Sequence, residues 1–264
     1  MNKGLKVFLW IVLIIVLIVV LFLGYLGFIP GVSALFGSNK PRDLGITYTE
    51  ADRTSARTKS QIEYTELPAT TPDDQSIQRI GSRPVTTSFS SAEISALMND
   101  RPFKYWPYKN VQMKFNADGS AEVSGQLVKS RLPGYMASIG IAQNVTDKVV
   151  QYMPSNTVFY VKGKAALSNN QVSVLDPSKV EIGRMSIPVN YFLSSNDSGT
   201  AFAADQSEIE SGLSSVSGKK AKIIAYINEH LAGIKGFFAK SANFSDNSLN
   251  FDGNLNEKEM TVRQ

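Results

Sequence analysis

The chain contains no cysteine and only one histidine, His230, among its 264 residues. Without cysteine it forms no disulfide, no thiolate nucleophile, no cysteine-ligated zinc site and no acylated lipoprotein cysteine. A lone histidine also lacks the partners of a catalytic dyad or a metal triad. The phosphate-loop, dinucleotide-binding and nucleophile-elbow motifs are missing as well. We therefore expect no enzyme activity, no catalytic residues, no metal site and no cofactor.

An excess of one charge is also absent, because 27 basic residues oppose 23 acidic ones. Two of the basic residues, Lys3 and Lys6, stand beside an apolar segment, and the rest of the chain is nearly neutral. Domains that bind nucleic acid carry a marked basic excess, so we expect no nucleic-acid partner. The hydrophobic fraction of 43% is high enough to form a buried core.

One long hydrophobic run, FLWIVLIIVLIVVLFLG, lies within residues 7–25 and contains no charged side chain. At about 1.5 Å per residue, residues 7–25 would span about 30 Å, the thickness of the hydrocarbon core of a bilayer. Trp10 and Tyr25 suit the two membrane interfaces. The run predicts a single transmembrane helix that acts as a signal anchor. A signal peptide cleaved near Ser33 and Ala34 is the alternative, although signal peptides have shorter apolar regions.

The charges on either side of this run predict its orientation. Lys3, Lys6 and the α-amino group precede it closely, whereas Lys40 and Arg42 follow at a distance and are accompanied by Asp43. Basic residues near a membrane helix favour the cytoplasmic side. We therefore expect a single-pass protein of the cell membrane, with its N-terminus in the cytoplasm and its larger C-terminal part outside.

Composition divides the chain into three regions. Residues 1–30 form the N-terminus and the anchor, residues 31–84 read as a hinge and a spacer rich in Thr, Ser and Pro, and residues 85–264 read as an extracytoplasmic domain. The spacing of Thr49 and Asp52, and that of Ser90 and Glu93, is typical of capping boxes. Each pair predicts the start of a short helix.

Alternating apolar and polar residues around short turns predict antiparallel hairpins in the domain. Two amphipathic helices, at 135–152 and 223–236, lie between or beside these hairpins. The fold class is therefore α+β, in which antiparallel hairpins form a curved sheet packed with amphipathic helices behind one N-terminal transmembrane helix. The predicted strands are 111–115, 121–127, 158–167, 172–175, 180–187, 238–244 and 249–255.

The first of these amphipathic helices carries more apolar surface than one stripe against a sheet requires. Methionine adapts to irregular partners such as lipid tails, and ligand sites are concave and mostly apolar. Ordinary core packing is the competing interpretation. The candidate residues for an apolar groove between helix and sheet are Tyr135, Met136, Ile139, Val145, Val149, Tyr152 and Met153.

A second cluster of interest combines Tyr105, Trp106 and Tyr108 with nearby basic residues. Such rings suit the headgroup level of a membrane, so these three are candidates for contact with the membrane interface. The alternative is a packed loop that leads into the first hairpin.

Carboxylate pairs such as Asp73 with Asp74 and Glu257 with Glu259 have the chemistry to act as acid and base across a sugar bond. Both pairs lie in polar segments. We expect them to be exposed and without catalytic function.

Four segments together resemble a known family. They are DLGITYTEADRTSARTK from Asp43, TSFSSAEISALMN from Thr87, KNVQMKFNADGSAEVSGQL from Lys109, and INEHLAGIKGFFAKSANFSDNSLNFDGNL near the C-terminus. With the N-terminal anchor, they resemble the YpmS-type membrane-anchored bacterial extracytoplasmic proteins and, more distantly, the tubular lipid-binding (TULIP-like) domains. The resemblance implies an α+β lipid-binding-like fold outside the cell membrane, no enzyme activity, and a domain that includes the stretch from Asp43 to Lys59.

Two hypotheses for the function follow from these features. The first is a non-catalytic, membrane-anchored extracytoplasmic module that binds a membrane lipid or other apolar ligand in a groove between helix and sheet. The second is an interaction or scaffolding protein of the cell envelope, with a closed core and a cell-envelope protein as its partner. A cavity between helix and sheet would favour the first hypothesis, and a solid core without a connected cavity would favour the second.

Overall fold

The computed structural model describes residues 3–151, 153–154, 156–189 and 219–263. These residues form an α+β fold around an antiparallel sheet that curls into a half-barrel. The predicted fold class is therefore confirmed at the level of an α+β architecture with a curved antiparallel sheet.

Helices open the described chain and lie between its strands, and two single turns of 3-10 helix lie at Asp73–Gln75 and Lys129–Arg131. The α-helices are α1 (Lys3–Tyr25), α2 (Pro30–Leu35), α3 (Glu50–Ser60), α4 (Ser91–Asn99), α5 (Leu132–Ser138), α6 (Gln143–Val150) and α7 (Lys219–Gly233).

Strands form one large sheet and one small sheet. The large sheet has the order β3-β10-β9-β6-β5-β4, with β7 on β6 and β8 on β7, and all of its pairings are antiparallel. In the small sheet, β11 lies between β1 and β2 and runs parallel to β1. The strands are β1 (Glu63–Leu67), β2 (Ile77–Ile80), β3 (Arg83–Ser90), β4 (Tyr108–Phe115), β5 (Ser120–Val128), β6 (Asn156–Ser168), β7 (Gln171–Ile182), β8 (Met185–Ile187), β9 (Phe238–Ser245), β10 (Ser248–Leu255) and β11 (Lys258–Val262).

Local sequence signals explain the hairpins. Between β4 and β5, the carboxylate of Asp118 accepts hydrogen bonds from the N–H and hydroxyl groups of Ser120 (2.9 and 2.6 Å). Between β6 and β7, Asn169 and Asn170 both have positive φ, at 50° and 61°, as a tight hairpin turn requires. The predicted hairpins at β4–β5, β6–β7 and β9–β10 are confirmed.

Both predicted capping boxes are present. In α3, the Thr49 side chain accepts from the N–H of Asp52, and the Asp52 carboxylate accepts from the N–H of Thr49. In α4, Ser90 and Glu93 make the same reciprocal pair. These bonds satisfy backbone donors that a helix N-terminus otherwise leaves without partners, so the two helices begin where the sequence predicts.

The second of these helices, α4, covers the edge of the large sheet at β4. Three of its polar side chains, spaced four residues apart, take the place of a neighbouring strand by bonding the backbone of alternate β4 residues. The hydrogen-bonded pairs are Ser91 with Phe115, Ser95 with Met113, and Asn99 with Val111.

The amphipathic segment predicted as one helix over 135–152 is divided into α5 and α6. The break contains Gly140, whose φ of +81° is unfavourable for residues with a side chain. Its neighbour Ile139 ends α5 by donating its N–H to Met136 and Ala137 carbonyl groups. The prediction of a continuous helix is therefore wrong at Gly140.

Residues 31–84, predicted as hinge and spacer, contribute several elements to the fold. α3 packs on α4, and the Lys59 ammonium lies 2.7 Å from the buried carboxylate of Glu93. β1 and β2 pair with the two edges of β11. This stretch therefore holds the C-terminal strand in place.

From Trp10 onward, helix α1 presents apolar side chains to solvent, including Trp10 and Phe22, which are 64% and 58% exposed. Across the described parts of the chain, no helix has both the length and the apolar character that crossing a membrane requires.

The contact between α4 and β4 gives a first prediction. Ser95→Ala removes the buried hydroxyl that accepts from the N–H of Met113, and this part-buried backbone group loses its partner on α4. We expect the free energy of unfolding to fall by about 1–3 kcal/mol, measured by thermal or urea unfolding of the full chain in mild detergent. Ser168→Ala, at the exposed end of β6, is the matched control. Equal stability of the two variants would contradict this account.

Candidate functional site

The candidate site lies at one end of the large sheet. Tyr108 begins β4 and pairs with Leu127 near the end of β5, which pairs in turn with Thr157 near the start of β6. Phe159 of β6 pairs with Ile182, the last residue of β7. The beginnings of β4 and β6 and the ends of β5 and β7 therefore lie together. We call this the α1 end of the sheet, because the chain leaving α1 meets it.

The contact with α1 is made by the turn between β7 and β8. Gly183 has φ of +63°, and a Cβ atom added there would lie 2.4 Å from the carbonyl oxygen of Leu26. Its N–H donates to the carbonyl of Val158 (2.7 Å). Beside it, the Tyr25 hydroxyl donates to the carbonyl of Arg184 (2.9 Å). Only glycine allows this close approach, which joins the end of α1 to the sheet.

After α2 the chain crosses the polar face of the sheet as an extended strap, residues 38–45. Side chains of β4 and β5 bond three peptide groups of the strap, which are thereby satisfied without strand pairing. The Gln126 amide donates to the Asn39 carbonyl, the Arg42 N–H donates to the Ser124 hydroxyl, and the Leu44 N–H donates to the side-chain carbonyl of Gln112. The strap's own Ser38 hydroxyl donates to the Gly24 carbonyl of α1.

The strap is also tied to the sheet by an ion-pair cluster around Glu181. This carboxylate is only 3% exposed. It accepts from Nε and Nη2 of Arg42 (2.8 and 2.9 Å), and the ammonium of Lys179 lies 2.9 Å from it. Burial acts to raise the pKa of Glu181, but the hydrogen bonds and charges of Lys179 and Arg42 outweigh it and lower the pKa. The carboxylate is therefore ionised at neutral pH.

An open cleft of about 600 Å³ lies between α1, α2 and this cluster. Both apolar and polar residues line it, so the cleft is amphipathic. We call its apolar lining residues the apolar wall; they are Phe22, Tyr25, Leu26, Phe36 and Met185. We call its polar lining residues the polar wall; they are Arg42, Lys179, Glu181, Arg184 and Ser186.

The polar wall carries three cations and one carboxylate. Glu181 neutralises part of the charge of Arg42 and Lys179. The guanidinium of Arg184 donates to the carbonyl groups of Gly37 and Lys40 (2.7 and 3.4 Å), and it makes no ion pair among the described residues. A net positive charge therefore remains beside exposed aromatic rings.

This arrangement suits binding rather than acid–base chemistry. A carboxylate with a lowered pKa and two cationic partners is a weak proton acceptor. Within the described part of the chain, no group of three or more His, Asp or Glu side chains has a metal-binding arrangement. The cleft can accept a ligand that has an apolar part and an anionic part.

The predicted groove residues lie in α5, in α6, in the break between them and in the segment that follows. Tyr135 is half-buried, and its ring contacts those of Trp106 and Tyr108 edge-on, with centroids 5.8 and 6.0 Å apart. Met136, Val145 and Met153 are half-buried, and Ile139 is 38% exposed. Only the backbone of Val149 is described, and Tyr152 lies outside the described residues. The described side chains of this set do not line the cleft.

The predicted membrane-interface residues form a packed cluster at the start of β4. Trp106 is buried, its Nε1 donates to the carbonyl of Met98 (2.7 Å), and the Arg101 guanidinium lies 5.0 Å above its ring. Burial raises the pKa of the neighbouring Tyr108 hydroxyl. Tyr105 is half-buried, with its hydroxyl on the Asp73 carboxylate. This packing favours the loop interpretation, above all for Trp106.

One of the predicted exposed carboxylates is buried. Glu259 is 4% exposed and lies between Arg79 (3.2 Å) and Arg101 (2.7 Å). The expectation of exposure was wrong for this residue, because β11 is the central strand of the small sheet. A cavity of about 10 Å³ beside it is too small for an organic ligand. Glu259 therefore has a structural role.

No family model, no curated protein and no solved structure matches the chain. Arg42, Lys179, Glu181 and Arg184 were not singled out by sequence reasoning as ligand-binding residues. The strap comes from one part of the chain and β7 from another about 140 residues later, and the spacing of these residues carries no local motif.

The Glu181 cluster gives a second prediction. Glu181→Gln should lower the free energy of unfolding at pH 7 by about 1–3 kcal/mol, because Arg42 and Lys179 lose their shared anion. A lowered pKa in the folded state stabilises the protein above the ordinary pKa near 4.5 and ceases to do so as the pH falls through the folded-state pKa. The difference between wild type and variant should therefore shrink below pH 4.5.

The measurement is thermal unfolding of the full chain at pH 7 and at pH 3. Glu229→Gln is the control, since this carboxylate is exposed on α7. A difference between wild type and Glu181→Gln that is independent of pH would show that the ion pairs are not the cause.

Proposed function

We propose that this chain is a non-catalytic module, anchored in the cell membrane and facing outward, that binds a membrane lipid or another apolar ligand. The observation that carries the proposal is the amphipathic cleft, which lies where the chain leaves the apolar helix α1. A lipid at that place would find apolar side chains from α1 and α2 on one side and cations from the strap and sheet on the other.

The sequence of α1 supports the membrane anchor. Residues 7–25 contain no charge and, at about 1.5 Å per residue, reach about 29 Å, close to the hydrocarbon thickness. The structure describes the side chains of this run only from Trp10 onward. Residues 10–25 are about 5 Å shorter than the whole run of residues 7–25. The exposed apolar side chains of α1 would be costly in water over this length. Lys3 and Lys6 support an N-terminus in the cytoplasm.

The position of the cleft supports a lipid rather than a soluble ligand. Phe22 and Tyr25 belong to the last turns of α1, so in an anchored protein they lie near the membrane surface. Aromatic side chains are favourable at that depth. A lipid could therefore reach the cleft without leaving the interfacial region.

The predicted groove stays part of the proposal. The segment after β5 forms α5 and α6 at the same end of the sheet as the cleft, and Ile139 and the half-buried Met136 leave apolar surface accessible there. We likewise propose kinship with the YpmS-type and TULIP-like proteins, supported by the N-terminal anchor and the four sequence segments that resemble that family.

A cleft-filling variant tests lipid binding. Ser186→Trp places a large ring in the polar wall from an exposed position on β8. We expect the full chain, purified in mild detergent, to retain co-purifying lipid in native mass spectra, and Ser186→Trp to lose most of it. Ser168→Trp, at the opposite end of β6, should retain lipid like wild type. Absence of lipid from wild type, together with no binding of added phospholipid, would refute the proposal.

The second candidate function is a scaffolding protein of the cell envelope. The nearly closed packing around Glu259, with a cavity of only about 10 Å³, favours it. Crosslinking in intact membranes would then recover one protein partner, and Ser186→Trp would leave that partner unchanged. Loss of lipid by Ser186→Trp would favour the lipid-binding function instead.

The orientation gives a further prediction. Protease added to intact cells should cleave within the portion that follows α1, because we place that portion outside the membrane. Cells permeabilised beforehand provide the positive control, and a cytoplasmic protein provides the control for intactness. Protection of this portion in intact cells would overturn the proposed orientation.

A further inference from the structure

We infer that the cleft selects lipids with an anionic phosphate headgroup over zwitterionic ones. The inference rests on the proposed lipid-binding function and makes it specific. It begins from the charges of the polar wall, where Arg42, Lys179 and Arg184 face a single carboxylate, Glu181.

Glu181 holds Arg42 and Lys179 in place, but it uses only some of the N–H donors of these two side chains. Arg42 gives two N–H groups to the carboxylate, and a guanidinium has five. Lys179 contacts the carboxylate at 2.9 Å and remains 45% exposed, and an ammonium has three N–H groups. Donors whose direction is already fixed lose less entropy when they bind an anion.

Arg184 provides a positive charge that no carboxylate of the described residues neutralises. Its guanidinium contacts only the carbonyl groups of Gly37 and Lys40 among the described residues. Carbonyl groups satisfy donors but do not cancel the charge. A phosphate oxygen would supply the missing negative charge, and guanidinium groups match phosphate geometry well.

The apolar wall explains why the anion should belong to a lipid. Phe22, Tyr25 and Phe36 are 58%, 40% and 40% exposed beside the cations. A free phosphate ion would leave these rings in water, whereas the glycerol and first acyl carbons of a lipid would cover them.

The same charges disfavour a zwitterionic headgroup. A phosphocholine brings its quaternary ammonium into the cleft with its phosphate, and this group would approach Lys179 and Arg184. Like charges at short range cost energy, which increases discrimination between the two headgroups.

The test uses the full chain in mixed micelles that contain equal amounts of phosphatidylglycerol and phosphatidylcholine, with retained lipids identified by native mass spectrometry. Wild type should retain phosphatidylglycerol over phosphatidylcholine by about tenfold, and this preference should decline with added salt. Lys179→Gln and Arg184→Gln should each reduce the preference about fivefold, as expected for loss of one charged hydrogen bond.

Two matched variants separate charge at the cleft from other effects. Lys164→Gln removes the same charge from an exposed position farther along β6 and should keep the wild-type preference. Arg184→Lys keeps the positive charge, and we expect this variant to retain most of the preference for phosphatidylglycerol. A loss of preference in Lys164→Gln, or a wild-type preference in both Lys179→Gln and Arg184→Gln, would overturn the inference.

The outcomes also separate this inference from the proposed function. Equal retention of the two lipids by wild type would refute headgroup selection and leave lipid binding intact. Retention of neither would refute lipid binding itself. Inorganic phosphate is added in a separate arm, and displacement of phosphatidylglycerol by millimolar phosphate would assign the site to free phosphate rather than to the lipid.

Discussion

The ion pairs of Glu181 are the interaction on which the arrangement of the site depends. This buried carboxylate joins β7 to the strap through Arg42 and holds Lys179 beside it. Burying a carboxylate is costly unless cations and hydrogen bonds compensate it, and here two cations do so. Because the strap follows α1 and α2 directly, the same pairs fix where the N-terminal helix meets the sheet and keep the cleft open between them.

Buried polar side chains also join neighbouring elements elsewhere in the fold. Glu93 joins α3 to α4 through Lys59 and Ser55, and Glu259 joins the small sheet to the loop before β4 through Arg101. Along α4, serine and asparagine side chains satisfy the edge of β4. Satisfied polar contacts of this kind favour one arrangement of the elements, because any shift would leave buried groups without partners.

The cleft lies at the end of α1, where apolar side chains and cations meet in one site. The rings of Phe22 and Phe36 and the charge of Arg184 lie within one site of about 600 Å³. Apolar and cationic groups together match the two parts of an anionic lipid, while the packed cluster around Trp106 lies at the same end of the sheet. In an anchored protein, such a site would stay near its ligand without diffusing.

The sequence by itself determined the local structure, namely the two capping boxes, the hairpin turns and the α+β class, because hydrogen bonds between near neighbours and simple periodicity set these features. It also indicated the apolar helix. Only the tertiary structure decided that residues 60–84 join the fold, that Gly140 divides the amphipathic segment, that Glu259 is buried, and that Arg42 meets Glu181. Those outcomes depend on contacts between distant parts of the chain, and neither composition nor spacing encodes such contacts locally.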